Sequence, residues 1–196
     1  KNFAEIKKEI QFGNIYEMNY CQNFVAKNVL LNPFQAYQKL ADATQAPFSC
    51  YLNLGNYFAL SASPERYIKR TGNKLLSQPI KGTAARSTDL VQDEKQKTEL
   101  RENPKEQSEN VMIVDLVRND LSKLATKNSV VVEELFGVHT FKTVHQLISS
   151  VSCEIKDKIS FTDIIKATFP MGSMTGAPKI SAMQQSERFE DFKRGL

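Results

Sequence analysis

The chain has 196 residues, 41% of them hydrophobic and 24% charged, with a formal net charge of +4. That length supports one domain with a proper core. The charge is mild and dispersed, with both signs interleaved in "DEKQKTELRENPKEQSE", so neither a nucleic-acid nor a membrane partner is demanded.

Three cysteines, Cys21, Cys50 and Cys153, stand far apart with no C-x-x-C among them. That argues against a disulfide framework or zinc site and suits a reducing compartment. No apolar run approaches the ~20 residues of a membrane helix. The opening "KNFAEIKKEI" reads as an amphipathic helix rather than the apolar stretch of a signal peptide. A soluble cytoplasmic protein is expected.

Phe3, Ile6 and Ile10 recur at helical spacing, and Gly13 stops that helix. "IYEMNYCQNFVAK" reads as a strand. "NPFQAYQKLADA" is a helix with Asn32 as its N-cap and Pro33 at its first position. "PFSCYLNLG", "YFALSAS", "RYIKR" and "KLLSQPI" alternate as strands, the last two joined by a "TGN" turn. Residues 84–103 are charged and without pattern, and a mobile loop is expected there. Pro104 opens a long helix through "ENVMIVDLVRNDLSKLA", followed by two strands in "SVVVEELFGVHTFKTVHQLISSVSCEI". Ser160 caps "FTDIIKATF", and "GSMTGAPKISAMQQ" is a glycine-rich turn feeding a helix. Hairpins mixed with helices, rather than βαβ alternation, give the α+β class with a largely antiparallel sheet.

Lys81, between Ile80 and Gly82 in "SQPIKGTAAR", is an ammonium at the end of an apolar strand. The "TGN" turn puts Glu65 opposite residues 79–81, so Glu65 and Lys81 are expected at the same end of one hairpin. Such a pair is either an ordinary cross-strand ion pair or a proton donor beside a nucleophile. Glu106 and Glu109 share a face near the start of the long helix. They suit either the helix N-terminus or a hard divalent ion such as Mg²⁺. The middle of that helix is apolar on nearly every side, so Asp115, Arg118, Asn119 and Asp120 are expected as a buried structural network. "FPMGSMTGAPK" is either a connector or a turn whose backbone N–H groups meet an anion at a helix N-terminus. His139 and His145 lack metal-ligand spacing and read as core or edge residues.

Taken together, "GNIYEMNYCQNF", "SPERYIKRTGNKLLSQPIKGTAAR", "SENVMIVDLVRNDLSKLA", "VHTFKTVHQLISSV" and "FPMGSMTGAPKISAM" resemble, in order, the motifs of the chorismate-utilising enzymes. The resemblance covers almost all of the chain. It implies a two-layered α/β sandwich with large antiparallel sheets, of which residues 1–196 are the core of a single chorismate-binding catalytic domain. The family's sequence continues beyond both ends, so the chain is expected to lack its C-terminal part and to be inactive alone.

The Lys in "PIKGT", where anthranilate synthases have Ala, resembles aminodeoxychorismate synthase component I of the p-aminobenzoate and folate branch. By that resemblance Lys81 attacks C2 of chorismate while Glu65 protonates the departing C4 hydroxyl. Ammonia from a glutamine amidotransferase subunit then adds at C4, expels Lys81 and gives 4-amino-4-deoxychorismate. To attack, Lys81 must be partly neutral, which desolvation or nearby cations would favour. The resemblance also assigns Gly82, Thr83 and Thr175 to the chorismate site, and Glu109 with Glu106 to Mg²⁺. Gln146 stands where anthranilate synthases have a His associated with pyruvate elimination. Asn14 and Met174 replace the usual Asp and Ile. The alternatives are anthranilate synthase component I, or a non-catalytic fragment that binds chorismate or a partner.

Overall fold

A computed structural model describes residues 2–195. Its contacts divide the chain into two units, Lys1–Asn23 with Tyr67–Leu196, and Phe24–Arg66. The elements in chain order begin with α1 (Asn2–Gln11) and β1 (Glu17–Met18) in the larger unit. Then come α2 (Pro33–Thr44), β2 (Phe48–Asn53) and β3 (Phe58–Ser63) in the smaller one. The larger unit resumes at the start of β4 (Arg66–Thr71), followed by β5 (Lys74–Gln78), β6 (Ile80–Ala85), α3 (Leu90–Glu102) and α4 (Pro104–Ser122). It ends with β7 (Val131–Thr140), β8 (Val144–Glu154), α5 (Phe161–Thr168), β9 (Gly176–Ala177) and α6 (Lys179–Phe189).

The smaller unit is one helix and one hairpin. Asn32 caps α2 by accepting from Gln35 N–H at 3.0 Å, with Pro33 in the first turn as expected. β2 and β3 pair antiparallel from Phe48↔Ser63 to Asn53↔Phe58. Tyr51 gathers the ring of Phe34 edge-on at 5.6 Å and stacks on Phe58 at 6.2 Å. No residue of α2, β2 or β3 is fully buried.

The larger unit is built on β8. One edge of β8 pairs first with β5 (Leu75↔Cys153) and then with β6 (Ile80↔Ile148, Thr83↔Gln146). The other edge pairs with β7, and β4 lies outside β5. Each of these registers is antiparallel, as the α+β class requires. Both faces of β8 are covered, so its apolar and polar residues are buried together. Its serines are satisfied individually: Ser149 donates to Asn110 at 2.6 Å and Ser152 to Glu133 at 2.7 Å, while Ser150 accepts from Gln78 at 3.0 Å.

Ile113, Val117 and Leu121 of α4 pack with Leu75, Val151, Cys153 and Ile164 of α5 into the main core. Each such side chain contributes about 2 kcal/mol. A second cluster joins Ile6 of α1, Ile15, and Ala182 and Phe189 of α6.

Three expectations are corrected. The strand expected over residues 15–27 is only Glu17–Met18, because its ladder partner among the described residues is the two-residue β9. Residues 84–103 are not a loop but the end of β6 and the helix α3. Asp89 caps α3 through Gln92 N–H, and Lys97–Glu94 and Lys95–Glu99 pairs line its exposed faces. Only Asp93 and Leu100 of α3 are buried, so no apolar period marks it. Finally, α4 is not buried all round. Asp115 and Arg118 form an exposed pair at 2.6 Å, and only Asp120 of the expected charged network is buried.

Candidate active site

Pro79 interrupts the strand that would otherwise run from Lys74 to Ala85. Its carbonyl accepts from Ser149 N–H at 3.2 Å, so the chain stays on the edge of β8. Between Ile80 and Thr83 the register then shifts by one residue, a bulge at Lys81–Gly82. Gly82 has φ +96, a conformation that L side chains rarely adopt. A Cβ there would also come within 3.0 Å of the Glu106 carboxylate and 3.2 Å of Leu147 Cβ. The bulge thus brings β6 hard against the start of α4.

At the bulge, Lys81 donates from Nζ to Glu17 Oε1 on β1, and the two side chains are only 13% and 15% exposed. The other oxygen, Oε2, is buried with no hydrogen-bond partner among the described residues. Of the two surroundings expected for Lys81, desolvation or nearby cations, the structure shows burial, with a carboxylate and not a cation bonded to it.

Glu106 and Glu109 lie in the first turns of α4, whose N-cap Asn103 accepts from Lys105 and Glu106 N–H. Lys105 Nζ bridges the two carboxylates, 2.8 Å from Glu109 and 3.4 Å from Glu106. The Glu109 hydrogen bond chiefly holds the Lys105 pKa above its ordinary value. The lysine is mostly exposed and free to swing away. The donor set fits Mg²⁺, which takes one or two carboxylates and leaves positions for substrate oxygens. No group of three or more His, Cys, Asp or Glu suited to a metal occurs among the described residues.

The glycine-rich turn is a short 3₁₀ turn, Gly172–Met174, leading into β9. Thr175 is buried, and its hydroxyl lies 3.1 Å from the Gly172 carbonyl. Gly176 (φ +142) has no room for a Cβ, which would lie 2.2 Å from the Glu17 carbonyl oxygen. Behind the turn, Lys179 donates to Asp120 Oδ2 and to the carbonyls of Thr168 (2.9 Å) and Pro170 (2.7 Å). Burial lowers the Lys179 pKa, opposed by Asp120.

β1 ties this turn to Lys81. Glu17 lies opposite Ala177, Tyr16 N–H donates to the Ala177 carbonyl at 2.7 Å, and Asn19 N–H donates to Thr175 at 2.9 Å. The structure thus connects Thr175 and Lys81 through β1, and Gly82 touches Glu106. Thr83 is exposed and lies opposite Gln146, whose Oε1 is buried without a partner among the described residues. Glu65 belongs to the smaller unit, where its N–H donates to Ser63 Oγ at 3.3 Å.

His145 is a fully buried core residue, between Thr140 (3.0 Å) and Asp93 (2.9 Å), while His139 is half-exposed beside Glu134. Hydrogen bonds from Arg86, then Ser87 N–H and His145, hold the Asp93 carboxyl well below the usual carboxylate range. Burial pushes the Cys153 thiol up to about 11, and all three cysteines are free.

Sequence reasoning missed Glu17 and Asp93. Glu17 sits in a quoted motif, but nothing in its spacing points to Lys81, 64 residues away. Asp93 lies in the stretch read as a loop.

The sequence matches the chorismate binding enzyme family over residues 1–196. The chain belongs to that family.

Among relatives of this chorismate binding enzyme, aminodeoxychorismate synthase component 1 of Escherichia coli is 38% identical over 194 residues, covering 99% of this chain and 43% of that protein. Aminodeoxychorismate synthase of Streptomyces griseus is 41% identical over 192 residues, covering 97% of this chain and 26% of that one. The crystal structure of anthranilate synthase component I from Streptococcus pneumoniae superposes with a TM-score of 0.87 at 30% identity, covering 99% of this chain and 42% of that one. The chain therefore spans less than half the length of these relatives. The likeness to the Streptococcus structure bears out the fold class expected from the motifs.

Proposed function

We propose that the whole protein is the chorismate-utilising component of an aminodeoxychorismate synthase, acting in p-aminobenzoate and folate synthesis in the cytoplasm. The observation that carries this reading is Lys81, a mostly buried amine at a strand bulge whose only bonded partner among the described residues is one oxygen of Glu17. Relatives named aminodeoxychorismate synthase, at 38% and 41% identity, support the branch.

In the proposed reaction the Lys81 amine bonds to C2 of chorismate, the ring double bonds shift, and the C4–O bond breaks. Hydroxide is a poor leaving group, so Glu65 supplies the proton that lets it depart as water. Ammonia, delivered by a glutamine amidotransferase subunit, bonds to C4 and expels Lys81. The covalent step directs the amine to C4 rather than C2. Gly82, Thr83 and Thr175 line the substrate site. Glu109 and Glu106 would hold Mg²⁺, which when bound supplies positive charge for the substrate's ring carboxylate.

The likeness to an anthranilate synthase component I favours a second reading, an enzyme that aminates at C2 and eliminates pyruvate. Gln146 speaks against it, since a carboxamide cannot carry a proton as His does.

A product assay on the full-length protein with chorismate, ammonium and Mg²⁺ tests the reading. The expected product is 4-amino-4-deoxychorismate, lost in Lys81→Ala. Anthranilate as the product, or an unimpaired Lys81→Ala variant, overturns it.

A further inference from the structure

We propose that Glu17 is the proton acceptor for Lys81: its carboxylate takes a proton from Nζ and so frees the amine to attack. This rests on the reading of Lys81 as the attacking residue.

Three observations carry it. Glu17 Oε1 is hydrogen-bonded to Lys81 Nζ, in a pair whose side chains are 15% and 13% exposed. Glu17 Oε2 is buried and has no partner among the described residues. That oxygen therefore keeps an open acceptor position, so the carboxylate is not fully used in holding Lys81. A carboxylate that served only as an anchor would be better satisfied on both oxygens, as Asp120 is by Lys179 and Lys123.

The third observation is rigidity. The backbone around Glu17 is pinned by the Tyr16–Ala177 and Asn19–Thr175 bonds, and Asn19 Nδ2 donates to the Ser173 carbonyl at 2.5 Å. Gly176 admits β1 at a distance that any side chain would forbid. The glycine-rich turn therefore acts on Lys81 indirectly, by fixing where its partner stands.

The step balances. The Lys81 ammonium and Glu17 carboxylate become a neutral amine and a carboxylic acid. The amine nitrogen then forms its bond to C2 with its own lone pair. When ammonia displaces Lys81, the departing amine recovers its proton from Glu17, and the acceptor is restored. Three carboxylates on the helices packed against β6 are otherwise engaged. Glu106 and Glu109 share Lys105, and Asp93 binds Arg86 and His145.

The test uses steady-state kinetics of the full-length protein with chorismate and ammonium. Glu17→Gln is expected to lower kcat by about 10²-fold, the scale of a lost proton-transfer group, with KM for chorismate within about threefold of the parent. Glu17→Asp, which keeps a carboxylate, is expected to recover at least about tenfold over Glu17→Gln. Formate is expected to restore Glu17→Ala in a saturable manner, which a merely structural role would not produce.

A Glu17→Gln rate within about threefold of the parent overturns the proposal. So does a Glu17→Asp no faster than Glu17→Gln together with no effect of formate. Should the variants not fold, infrared difference spectra of the parent protein reacting with chorismate decide. A new protonated-carboxyl band missing from Lys81→Ala supports the proposal, and its absence overturns it. An active Lys81→Ala removes the functional reading itself, whereas an inactive Lys81→Ala beside an active Glu17→Gln removes only the role of Glu17.

Discussion

Lys81 and Lys179 make an instructive pair. Both lie in the larger unit, both side chains are nearly buried at 13% and 14% exposure, and both meet a carboxylate. Their surroundings differ in how completely they are satisfied. Lys179 uses its donors on Asp120 and on two backbone carbonyls, and so locks α6 to α4 and to the end of α5. Lys81 bonds to one oxygen of Glu17, and the other oxygen has no partner among the described residues. A buried ammonium with all three donors used has no capacity left for a ligand, whereas one with donors to spare is available for chemistry. Burial alone does not distinguish these two lysines; their hydrogen-bond partners do.

Replacing each lysine by methionine, which keeps the length and removes the charge, is the sharpest way to break this contrast. Lys81→Met is expected to lower kcat by more than about 10³-fold, as loss of a covalent nucleophile does. It should also lose some stability, because Glu17 is left without its partner, but less than Lys179→Met, since no backbone carbonyl is orphaned with it. Lys179→Met is expected to act mainly on stability. It orphans the Thr168 and Pro170 carbonyls and removes one partner of Asp120, costing about 3 kcal/mol in urea unfolding. Its kcat per folded molecule should remain within about threefold of the parent. Equal loss of stability in the two variants would erase the distinction.

Gly82→Ala probes the bulge that presents Lys81. The left-handed φ and the 3.0 Å approach to Glu106 both oppose a methyl group there. A loss of about 1–3 kcal/mol is expected by thermal or urea unfolding. A neutral result would mean that the bulge is not needed to place β6 against α4.

The smallest effect concerns pH. The Asp93 pKa is depressed in the folded state by Arg86, Ser87 and His145. Its contribution is therefore fully present above the ordinary carboxylate range and is lost as pH falls toward the folded value. Asp93→Asn should be less stable than the parent at neutral pH, and the gap should narrow steadily on acidification. Urea unfolding over a pH series reads this directly, and a constant gap would show that Asp93 does not titrate with folding.

Elements with a local signal were legible in the sequence. Asn32 with Pro33, Ser160 and Pro104 mark helix starts, and each helix begins there. Alternation and the "TGN" turn marked the β4–β5 hairpin. By contrast, α3 was illegible because it buries only two residues and shows no apolar stripe. The charged residues of α4 were misjudged because a sequence shows which residues are apolar but not which helix face meets the sheet.

The sequence by itself determined the α+β class, the helix caps and the family, because caps, turns and motifs act over a few residues. Only the tertiary structure decided that β5 and β6 share one edge of β8, that Asp93 serves His145, and that the partner of Lys81 is Glu17. Those pairings join residues 52 to 80 positions apart. Ladder register and the packing of a glycine against a neighbouring strand set them, and no short-range pattern encodes either.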